Sequence, residues 1–398
     1  MTLEKLILGV DANGGDWFGE HPSRRIMEAI SLVQQDYENV DFVIFGNEEY
    51  LSKHIKKEKD YFARFRGKFT IDTSRVSFVH APAFFANRKK TKVHMDDKNL
   101  GNDISETAVV KMLEQLKYGN INCACTMSDT AQLLQQSVKI IGMMDNLSMT
   151  LPILFQKIPT KIATKNTLWG DLGSDVNAKP EFVFEYALIL SMYAKEVLGW
   201  HNPSVKILAN GTELHKGSSF EIDVSRKIQS FNRQENSFKI NFDLDHPYVE
   251  SNRILYYESD IIVTDGRLGN AVLKGMEGGI KFTREYTKEV LDARDIAKEV
   301  VEDPSKLVDL ILMLPLSITY PFAKISQRYR KSNALMDPQS YNGAPLLGLN
   351  DYVVKMHGNS TTLGIYNGLR NAIAYRKSNA IAIIKNMFTE SFDTNNKI

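Results

Sequence analysis

The segment 261–274 contains a short apolar run, a turn and the beginning of a helical pattern. The run is Ile-Ile-Val, and adjacent β-branched residues are typical of a strand that is buried on both faces. Asp265-Gly266 ends the run, and helical spacing begins near Asn270. A strand, a glycine-bearing turn and a helix in this order direct backbone N–H groups and a positive dipole end to one place. The segment therefore predicts either an anion site or an ordinary strand–helix connection.

The same unit recurs along the chain. One helical stretch has Pro180 at its start and Gly199 just after its end, which are the usual boundaries of a helix. Strands are predicted at residues 6–10, 42–45, 76–79, 121–125, 205–209 and 261–263, and helices at 22–33, 104–116, 130–141 and 180–197. This alternation predicts an α/β fold, namely a three-layer α/β/α sandwich with a mostly parallel, doubly wound sheet.

The domain organisation follows from length and from the lack of a linker. The 398 residues are enough for one large α/β domain or two smaller ones. The sequence contains neither a linker-like stretch nor an internal repeat, which favours a single domain over residues 1–385. Within it we expect a helical dimer or membrane-contact segment at about 285–335, followed by a polar C-terminal tail at 386–398.

Polar residues follow the predicted strands at five places. They occupy residues 11–16, 129–130, 171–177, 211–217 and 265–270. Ligands of open parallel sheets bind beyond the carboxyl ends of the strands. Five clusters that meet at the same edge of one sheet therefore predict a site for a polar ligand that carries phosphate.

Composition and charge narrow the class of protein. The net charge of +1 gives no global signal for nucleic acid binding, and no apolar run is long enough to span a bilayer. The start of the chain has no signal-peptide pattern, so we expect a cytoplasmic protein. Cys123 and Cys125 should point to one face of a strand as small core residues, because no zinc-finger spacing accompanies them. No metal or cofactor is expected.

Five stretches carry a family resemblance. They are Val-Asp-Ala-Asn-Gly-Gly-Asp at 10–16, Asp-Leu-Gly-Ser-Asp-Val-Asn-Ala-Lys-Pro at 171–180, Asn-Gly-Thr-Glu-Leu-His-Lys-Gly at 210–217, Asp-Gly-Arg-Leu-Gly-Asn-Ala-Val-Leu-Lys at 265–274, and Tyr-Asn-Gly-Ala-Pro-Leu-Leu-Gly at 341–348 with Lys-Met-His-Gly at 355–358. Their order along the chain resembles that of the bacterial phosphate acyltransferases of phospholipid synthesis, the PlsX family.

The resemblance implies a fold and a reaction. Members of that family are homodimeric α/β/α proteins similar to phosphotransacetylases and isocitrate-type dehydrogenases. The implied reaction transfers a long-chain acyl group from acyl carrier protein to inorganic phosphate. The acyl phosphate that results would be used by a glycerol-3-phosphate acyltransferase at the membrane, so the implied location is cytoplasmic with peripheral membrane association.

The chain departs from the family pattern at three places, so it resembles a divergent member. Asn13 stands where the family has Met, and Ser-Asp-Thr-Ala at 128–131 replaces Gly-Asn-Thr-Gly. Asp175 and Asn177 are exchanged relative to the usual order. A carboxylate beside bound phosphate repels it unless the carboxylate is protonated or paired with a cation, so Asp129 bears directly on phosphate binding.

Phosphate is itself a nucleophile, so the expected catalysis needs positioning and oxyanion stabilisation rather than a covalent intermediate. The candidate bases are Asp16, Asp171, Asp265 and His357; Asn270 is the candidate donor to an acyl oxygen, and Lys216 and Lys274 are the candidate point charges. The further candidates for substrate or phosphate binding are Asn13, Gly14, Gly15, Asp129, Thr130, Asp175, Asn177, Lys179, Gly211, Glu213, Gly217, Gly266, Gly269, Lys274 and Gly343.

Two regions suggest partners. Residues 307–320 are rich in Leu and Ile, and the basic residues Lys324, Arg328, Arg330 and Lys331 follow them. This segment is interpreted either as a helical pair at a dimer interface or as an anchor that lies on anionic lipid, and one segment can do both. Acyl carrier protein is acidic, and the basic stretches 53–57 and 88–92 are candidates for its docking surface.

Three competing functions stay open. A dehydrogenase of the isocitrate type would share the fold, but Gly-x-Gly-x-x-Gly does not follow the first predicted strand. A phosphotransacetylase that uses acyl-coenzyme A is the nearer enzyme. A non-catalytic scaffold of lipid synthesis with an altered site is the third, suggested by Asp129 and by the exchange of Asp175 and Asn177.

Overall fold

The computed structural model describes residues 5–15, 23–47, 71–82, 104–162, 165–235, 237–290 and 337–393. The strands in these residues are β1 (Leu6–Asp11), β2 (Val40–Gly46), β3 (Val76–His80), β4 (Cys123–Thr126), β5 (Ile153–Leu154), β6 (Gln156–Pro159), β7 (Asn166–Gly170), β8 (Ser204–Leu208), β9 (Asn241–Phe242), β10 (Tyr248–Val249), β11 (Ile261–Val263), β12 (Ala344–Leu347) and β13 (Val353–Lys355).

The α-helices in the same residues are α1 (Ser23–Asp36), α2 (Ala108–Lys117), α3 (Thr130–Ile140), α4 (Pro180–Met192), α5 (Ser219–Arg233), α6 (Gly266–Val290), α7 (Thr362–Lys377) and α8 (Ala380–Asp393). Helix α4 continues as a π-helical turn, Tyr193–Val197, and Gly199 follows with a positive φ of 67°. The predicted strands and helices in the described ranges are confirmed, with two shifted helix starts. Helix α6 begins at Gly266 rather than near Asn270, and α2 begins at Ala108, after a 3-10 turn at Ile104–Glu106.

The strands are divided between two sheets rather than joined in one continuous sheet. The first has the order β3-β2-β1-β4-β13-β12-β5, and the second has the order β10-β8-β11-β7-β6 with β9 also paired to β8. The chain passes from the first sheet to the second at Phe155, between β5 and β6. Both strands are short, and the residues of so short a strand do not identify the strand that will pair with it.

Most strand pairs in both sheets are parallel, as predicted. In the first sheet β1 pairs in parallel with β2 and β4, and β4 pairs in parallel with β13. In the second, β11 lies between β7 and β8 and is parallel to both. The antiparallel pairs lie where the sheets approach each other, at β12 with β5 and β13, and at β6 with β7.

Helices cover both faces of the sheets, which confirms the layered α/β architecture. In β11, Ile261 and Val263 belong to one hydrophobic core and Ile262 to the other. All three are at most 1% exposed, which is the burial expected of a strand between two helical layers. Cys123 and Cys125 share one face of β4, as predicted, and both are buried and free.

The C-terminal part corrects the predicted tail. Helix α8 continues to Asp393, and Phe388 on it is only 3% exposed. Residues 386–393 are therefore part of a packed helix rather than a polar tail, because their apolar side chains recur at helical spacing. The basic stretches 53–57 and 88–92 and the segment 307–331 lie outside the described residues. The assignment of residues 1–385 to a single domain stays a prediction.

Candidate active site

A cavity of about 340 Å³ lies between the strand ends of the first sheet and helix α6. The residues that line it are Asp11, Asn13, Gly15, Thr107, Ala108, Val109, Met127, Ser128, Asp129, Thr130, Leu154, Gln156, Leu172, Asn270, Leu273, Lys274, Ala344, Lys355, Met356, His357 and Gly358. It contains seven of the predicted residues: Asn13, Gly15, Asp129, Thr130, Asn270, Lys274 and His357. Five of them follow the ends of β1, β4 and β13, which are neighbours in the first sheet, and the other two, Asn270 and Lys274, are on α6.

Asp11 organises one wall of the cavity. Its carboxylate is fully buried, and its Oδ1 accepts hydrogen bonds from the N–H groups of Asn13 at 2.9 Å and Gly14 at 3.0 Å. Its Oδ2 accepts from the hydroxyls of Thr126 at 2.7 Å and Ser128 at 2.5 Å. Asp11 therefore ties the turn after β1 to the turn after β4.

The two turns use their small residues for close packing. A Cβ on Gly14 would lie 2.5 Å from Asp11 Oδ2 and 2.7 Å from the Ser128 nitrogen. The Asn13 amide donates to the carbonyl of Ala81 at 2.8 Å, so it fastens this turn to the end of β3. Gly14 is thus required by packing, and Asn13 and Gly15 line the cavity.

Asp129 is the N-cap of α3. Its Oδ1 accepts from the Gln132 N–H at 3.1 Å, while its side chain stays exposed at the cavity. This bond is the usual way in which an aspartate satisfies a free donor at the start of a helix. Thr130 is the first residue of α3, so the positive end of that helix dipole is directed at the cavity.

Helix α6 supplies the opposite wall. Asn270, Leu273 and Lys274 line the cavity, and Glu277 lies one turn further along the same face. Lys274 Nζ donates to Glu277 Oε2 at 2.8 Å. The side chain of Asn270 packs against Gly173, which has a positive φ of 123°.

His357 lies next to Glu277. The His357 Nε2 and Glu277 Oε1 atoms are 4.0 Å apart, and within the described residues both are buried without a hydrogen-bond partner. Burial lowers the pKa of His357 to about 4, and Lys274 and Lys355 act in the same direction while Glu277 opposes them. The imidazole is therefore neutral near pH 7. Its backbone N–H donates to Asn342 Oδ1 at 3.0 Å, which fixes the turn after β13.

Asp171 lies beneath this site rather than in it. It is fully buried at the end of β7, and it accepts hydrogen bonds from the backbone N–H groups of Leu154, Gly173, Ser174 and Asp175 at 2.7–3.3 Å. Burial raises the pKa of Asp171 to about 6 in spite of these bonds. Because its oxygens are enclosed by backbone donors, this position supports a structural role and not that of a base in contact with substrate.

The backbone N–H groups of residues 266–269, in the turn that begins α6, are all hydrogen-bonded within the protein. The Gly266 N–H donates to Asp175 O, those of Arg267 and Leu268 donate to Asp265 Oδ1, and that of Gly269 donates to Asp265 O, at 2.9–3.0 Å. The prediction of a phosphate-binding turn here is therefore wrong, because Asp265 caps the helix. Gly266 and Gly269 are packing positions, where a Cβ would lie 2.5 Å from Asp171 Oδ2 and 1.9 Å from Asp171 O.

Other predicted residues lie away from the cavity. The turn after β8 contains Gly211, Glu213, Lys216 and Gly217, and none of these four lines it. Lys216 is exposed, and its stem packs over Gly211, where a Cβ would lie 2.6 Å from Lys216 Cβ. Gly217 is covered by Tyr248, whose hydroxyl oxygen would lie 2.5 Å from a Cβ there.

Asp175, Asn177 and Lys179, which precede α4, do not line the cavity either. Asp175 Oδ1 accepts from the Asn177 N–H at 2.9 Å, and Lys179 precedes the helix with its ammonium 5.9 Å from the Phe182 ring centre. Gly343 lines a second cavity of about 730 Å³, on the other side of β12. Asp16 lies outside the described residues.

Sequence reasoning missed several residues of the site. Asp11, Lys355 and Glu277 were not among the predicted catalytic or binding residues, yet the first two line the cavity and the third contacts Lys274. Glu277 follows Asn270 by seven residues and Lys274 by three, so the helical spacing was a usable signal. Among the described residues, no group of three His, Cys, Asp or Glu side chains is placed to hold a metal ion.

The described helices include none long and apolar enough to cross a membrane. By fold, the chain is similar to phosphotransacetylases. It matches the phosphotransacetylase from Streptococcus pyogenes with a TM-score of 0.51 and 12% identity over 95% of this chain and 94% of that one. It matches the EutD phosphotransacetylase from Staphylococcus aureus with a TM-score of 0.50 and 13% identity over 94% of each chain.

Sequence comparison gives the family. Residues 6–383 match the model described as fatty acid synthesis protein, and the chain belongs to that family. Proteins named phosphate acyltransferase in two Staphylococcus aureus strains, JH9 and bovine RF122 / ET3-1, are each 27% identical to it over 386 residues, which is 96% of this chain and 98% of theirs. The resemblance drawn from the sequence is confirmed, and the chain is an acyltransferase of fatty acid and phospholipid synthesis.

Proposed function

We propose that the protein transfers a long-chain acyl group from acyl carrier protein to inorganic phosphate. The observation that carries this proposal is the meeting of Lys274, Lys355 and His357 in one cavity, with Asn270 on the same wall as Lys274. Two ammonium groups beside a helix N-terminus favour an anion. The relatives named phosphate acyltransferase support phosphate as that anion.

The reaction follows from the chemistry of a thioester. An oxygen of hydrogen phosphate attacks the carbonyl carbon, and the C–O bond forms as the carbonyl electrons move to its oxygen. Collapse of this intermediate restores the carbonyl and breaks the C–S bond, so that the thiolate leaves and takes up the proton that phosphate has lost. Asn270 is assigned as a donor to the oxyanion, because a donor that meets charge only in the transition state lowers the barrier.

Phosphate-dependent cleavage of a thioester tests the proposal. The purified protein is incubated with palmitoyl acyl carrier protein, with and without phosphate, and acyl phosphate is trapped with hydroxylamine as the hydroxamate. Phosphate-dependent hydroxamate supports the proposal, and thioester that persists in phosphate overturns it. A parallel reaction with palmitoyl-coenzyme A identifies the donor, since faster turnover of that thioester would replace acyl carrier protein with coenzyme A in the assignment.

A variant pair on one helix tests the cavity itself. Lys274→Met removes an ammonium group from the cavity. Lys281→Met removes an exposed ammonium group from the same helix, where Lys281 Nζ lies 3.9 Å from Glu285 Oε1. We expect Lys274→Met to raise KM for phosphate at least about 10-fold, since a hydrogen bond to a charged group contributes about 1.5–3 kcal/mol. Equal effects of the two variants would place phosphate elsewhere.

We propose further that the protein is a homodimer that binds the membrane surface peripherally. The exposed rings of Phe282 and Tyr286 stack 5.8 Å apart on α6, and such an exposed aromatic pair is typical of an interface. The sequence pattern of 307–331, an apolar face followed by basic residues, supports attachment to anionic lipid.

Two substitutions separate the two roles of this region. Replacing Leu310 and Leu314 with Asp should release the protein from phosphatidylglycerol vesicles in a flotation assay and leave acyl transfer intact. If the double variant instead sediments as a monomer or precipitates, these leucines belong to a protein interface and the membrane proposal fails.

A further inference from the structure

Glu277 lies between a residue of one cavity wall, Lys274, and a residue of the other, His357. It belongs to α6, which follows β11 of the second sheet, while His357 follows β13 of the first sheet. One of its oxygens, Oε2, is bound by Lys274 Nζ at 2.8 Å. The other, Oε1, faces His357 Nε2 at 4.0 Å, and both of these atoms are buried without a partner.

Two facing polar atoms without partners are an unusual arrangement. A buried polar group that makes no hydrogen bond costs about 1–3 kcal/mol, so such groups are few in folded proteins. A distance of 4.0 Å is too long for a hydrogen bond, but a movement of about 1 Å closes it to the usual range.

We propose that Glu277 is a positioning residue that holds the His357 imidazole with its proton on Nε2 and its Nδ1 lone pair open to the cavity. A carboxylate can only accept a hydrogen bond, so closure of the pair requires Nε2–H. The choice of tautomer at one ring nitrogen is set by the hydrogen bond at the other. The catalytic consequence of this inference rests on the proposed function, whereas the tautomer of His357 is independent of it.

The pair of His357 and Glu277 allows the proton of hydrogen phosphate to move to the leaving sulfur through the imidazole. Nδ1 accepts that proton as the phosphate oxygen bonds to the acyl carbon, and the imidazolium returns it to sulfur when the C–S bond breaks. Every atom is then accounted for, because one proton leaves phosphate and one is gained by the thiol. Burial keeps His357 neutral, as a base must be before it accepts a proton. The charge of Glu277 stabilises the imidazolium that forms, against the opposing charges of Lys274 and Lys355.

Nitrogen-15 NMR of the histidine-labelled, ligand-free protein tests the tautomer without any turnover. The His357 signal is identified by its loss in His357→Asn. We expect Nε2–H in the wild type and a shift toward Nδ1–H in Glu277→Gln, because the amide can donate to Nε2. The control is Glu285→Gln, which removes an exposed carboxylate from the same helix and should leave the tautomer unchanged. A wild-type tautomer of Nδ1–H, or one unaffected by Glu277→Gln, overturns the inference and leaves the proposed function standing.

Kinetics in the phosphate-dependent assay test the consequence. Acid–base catalysis contributes about 10²–10⁴-fold, so His357→Asn should lower kcat by that factor and Glu277→Gln by a smaller one. Residues that act as a unit are not additive, so the double variant should lose no more than His357→Asn alone. Losses that multiply would contradict the pair. A rise in KM for phosphate with kcat unchanged would show that Glu277 acts through Lys274 alone.

Discussion

Two fully buried aspartates end strands in the two sheets, and they differ in what holds them. Asp11 ends β1, and its Oδ2 accepts from the hydroxyls of Thr126 and Ser128. Asp171 follows β7 and accepts from the backbone N–H groups of four residues. A hydroxyl can rotate and either donate or accept, whereas a backbone N–H only donates. The hydroxyls around Asp11 can therefore reorient if its carboxylate is replaced by an amide, whereas the backbone N–H groups around Asp171 cannot.

The difference matches their places in the molecule. Asp11 lines the cavity, whereas Asp171 supports Leu172, which lines the cavity, and packs against the start of α6. A glycine abuts Oδ2 in both cases, since a Cβ on Gly14 or on Gly266 would lie 2.5 Å from it. Both sheets thus place an aspartate at a strand end in contact with a glycine. In the first sheet this aspartate, Asp11, lines the cavity, and in the second sheet Asp171 is enclosed and supports the residues around it.

The largest expected effect is a dependence of stability on pH at Asp171. Its pKa is about 6 in the folded protein against an ordinary value of 3.8, so it holds its proton over a range in which the unfolded chain has lost it. A raised acid pKa stabilises the folded state at low pH, and this contribution is lost as the pH rises from about 4 to about 6. The loss is at most about 3 kcal/mol, at about 1.4 kcal/mol per unit.

Urea unfolding of the wild type and of Asp171→Asn across this pH range measures that contribution. Other groups titrate in both proteins, so the difference between their unfolding free energies isolates Asp171. The difference should shrink as the pH rises from about 4 to about 6. A constant difference would mean that Asp171 is ionised throughout and that its backbone donors outweigh its burial.

The next largest effect is expected when aspartate is replaced by asparagine at each of the two sites, Asp171 and Asp11, at pH 7. In Asp171→Asn an amide NH₂ must face backbone N–H groups, so we expect a loss of about 2 kcal/mol in unfolding free energy. In Asp11→Asn the Oδ1 contacts remain, and the NH₂ can donate to the oxygens of Thr126 and Ser128, so the loss should be under about 1 kcal/mol. Equal losses in urea titrations would remove the distinction between the two walls.

A smaller effect is expected at the two abutting glycines. Gly14→Ala and Gly266→Ala each place a methyl group 2.5 Å from a carboxylate oxygen, and each should lower the free energy of unfolding by at least about 1 kcal/mol. The matched control is Gly275→Ala on α6, where a Cβ meets nothing within 4 Å. That change should stabilise the helix by up to about 1 kcal/mol. A neutral Gly266→Ala would show that the helix start moves freely.

Strands β1, β2, β3, β4, β8 and β11 could be predicted from sequence because each coincides with an apolar or β-branched run. The run at Ile261 is buried on both faces, as its composition indicated. The division into two sheets could not be predicted, because neither Ile-Leu of β5 nor Gln-Lys-Ile-Pro of β6 identifies the strand with which it pairs. The convergence of strand-end polar residues held for the first sheet, where Asn13, Asp129 and His357 meet at one cavity.

The second sheet contributes less of the site than its polar turns indicated. Asp and Gly residues cap helices and permit close packing as readily as they bind anions, and composition does not separate these uses. Asp265 and Gly266 show this ambiguity, since the first caps α6 and the second packs against Asp171. Lys216 shows it too, because a cation in a glycine-bearing turn lies away from the cavity.

The smallest expected effect concerns a third strand-end aspartate, Asp129, which extends the comparison to an exposed carboxylate at the cavity. Asparagine is as good an N-cap as aspartate, so Asp129→Asn should change the free energy of unfolding by only a few tenths of a kcal/mol. The like charge near phosphate is removed, so KM for phosphate should fall or stay unchanged. The control is Asp145→Asn, an exposed aspartate that does not line the cavity. A KM for phosphate that rises in Asp129→Asn alone would mean that the carboxylate holds a cation beside the substrate. The negative charge of Asp129 would then favour phosphate binding rather than oppose it.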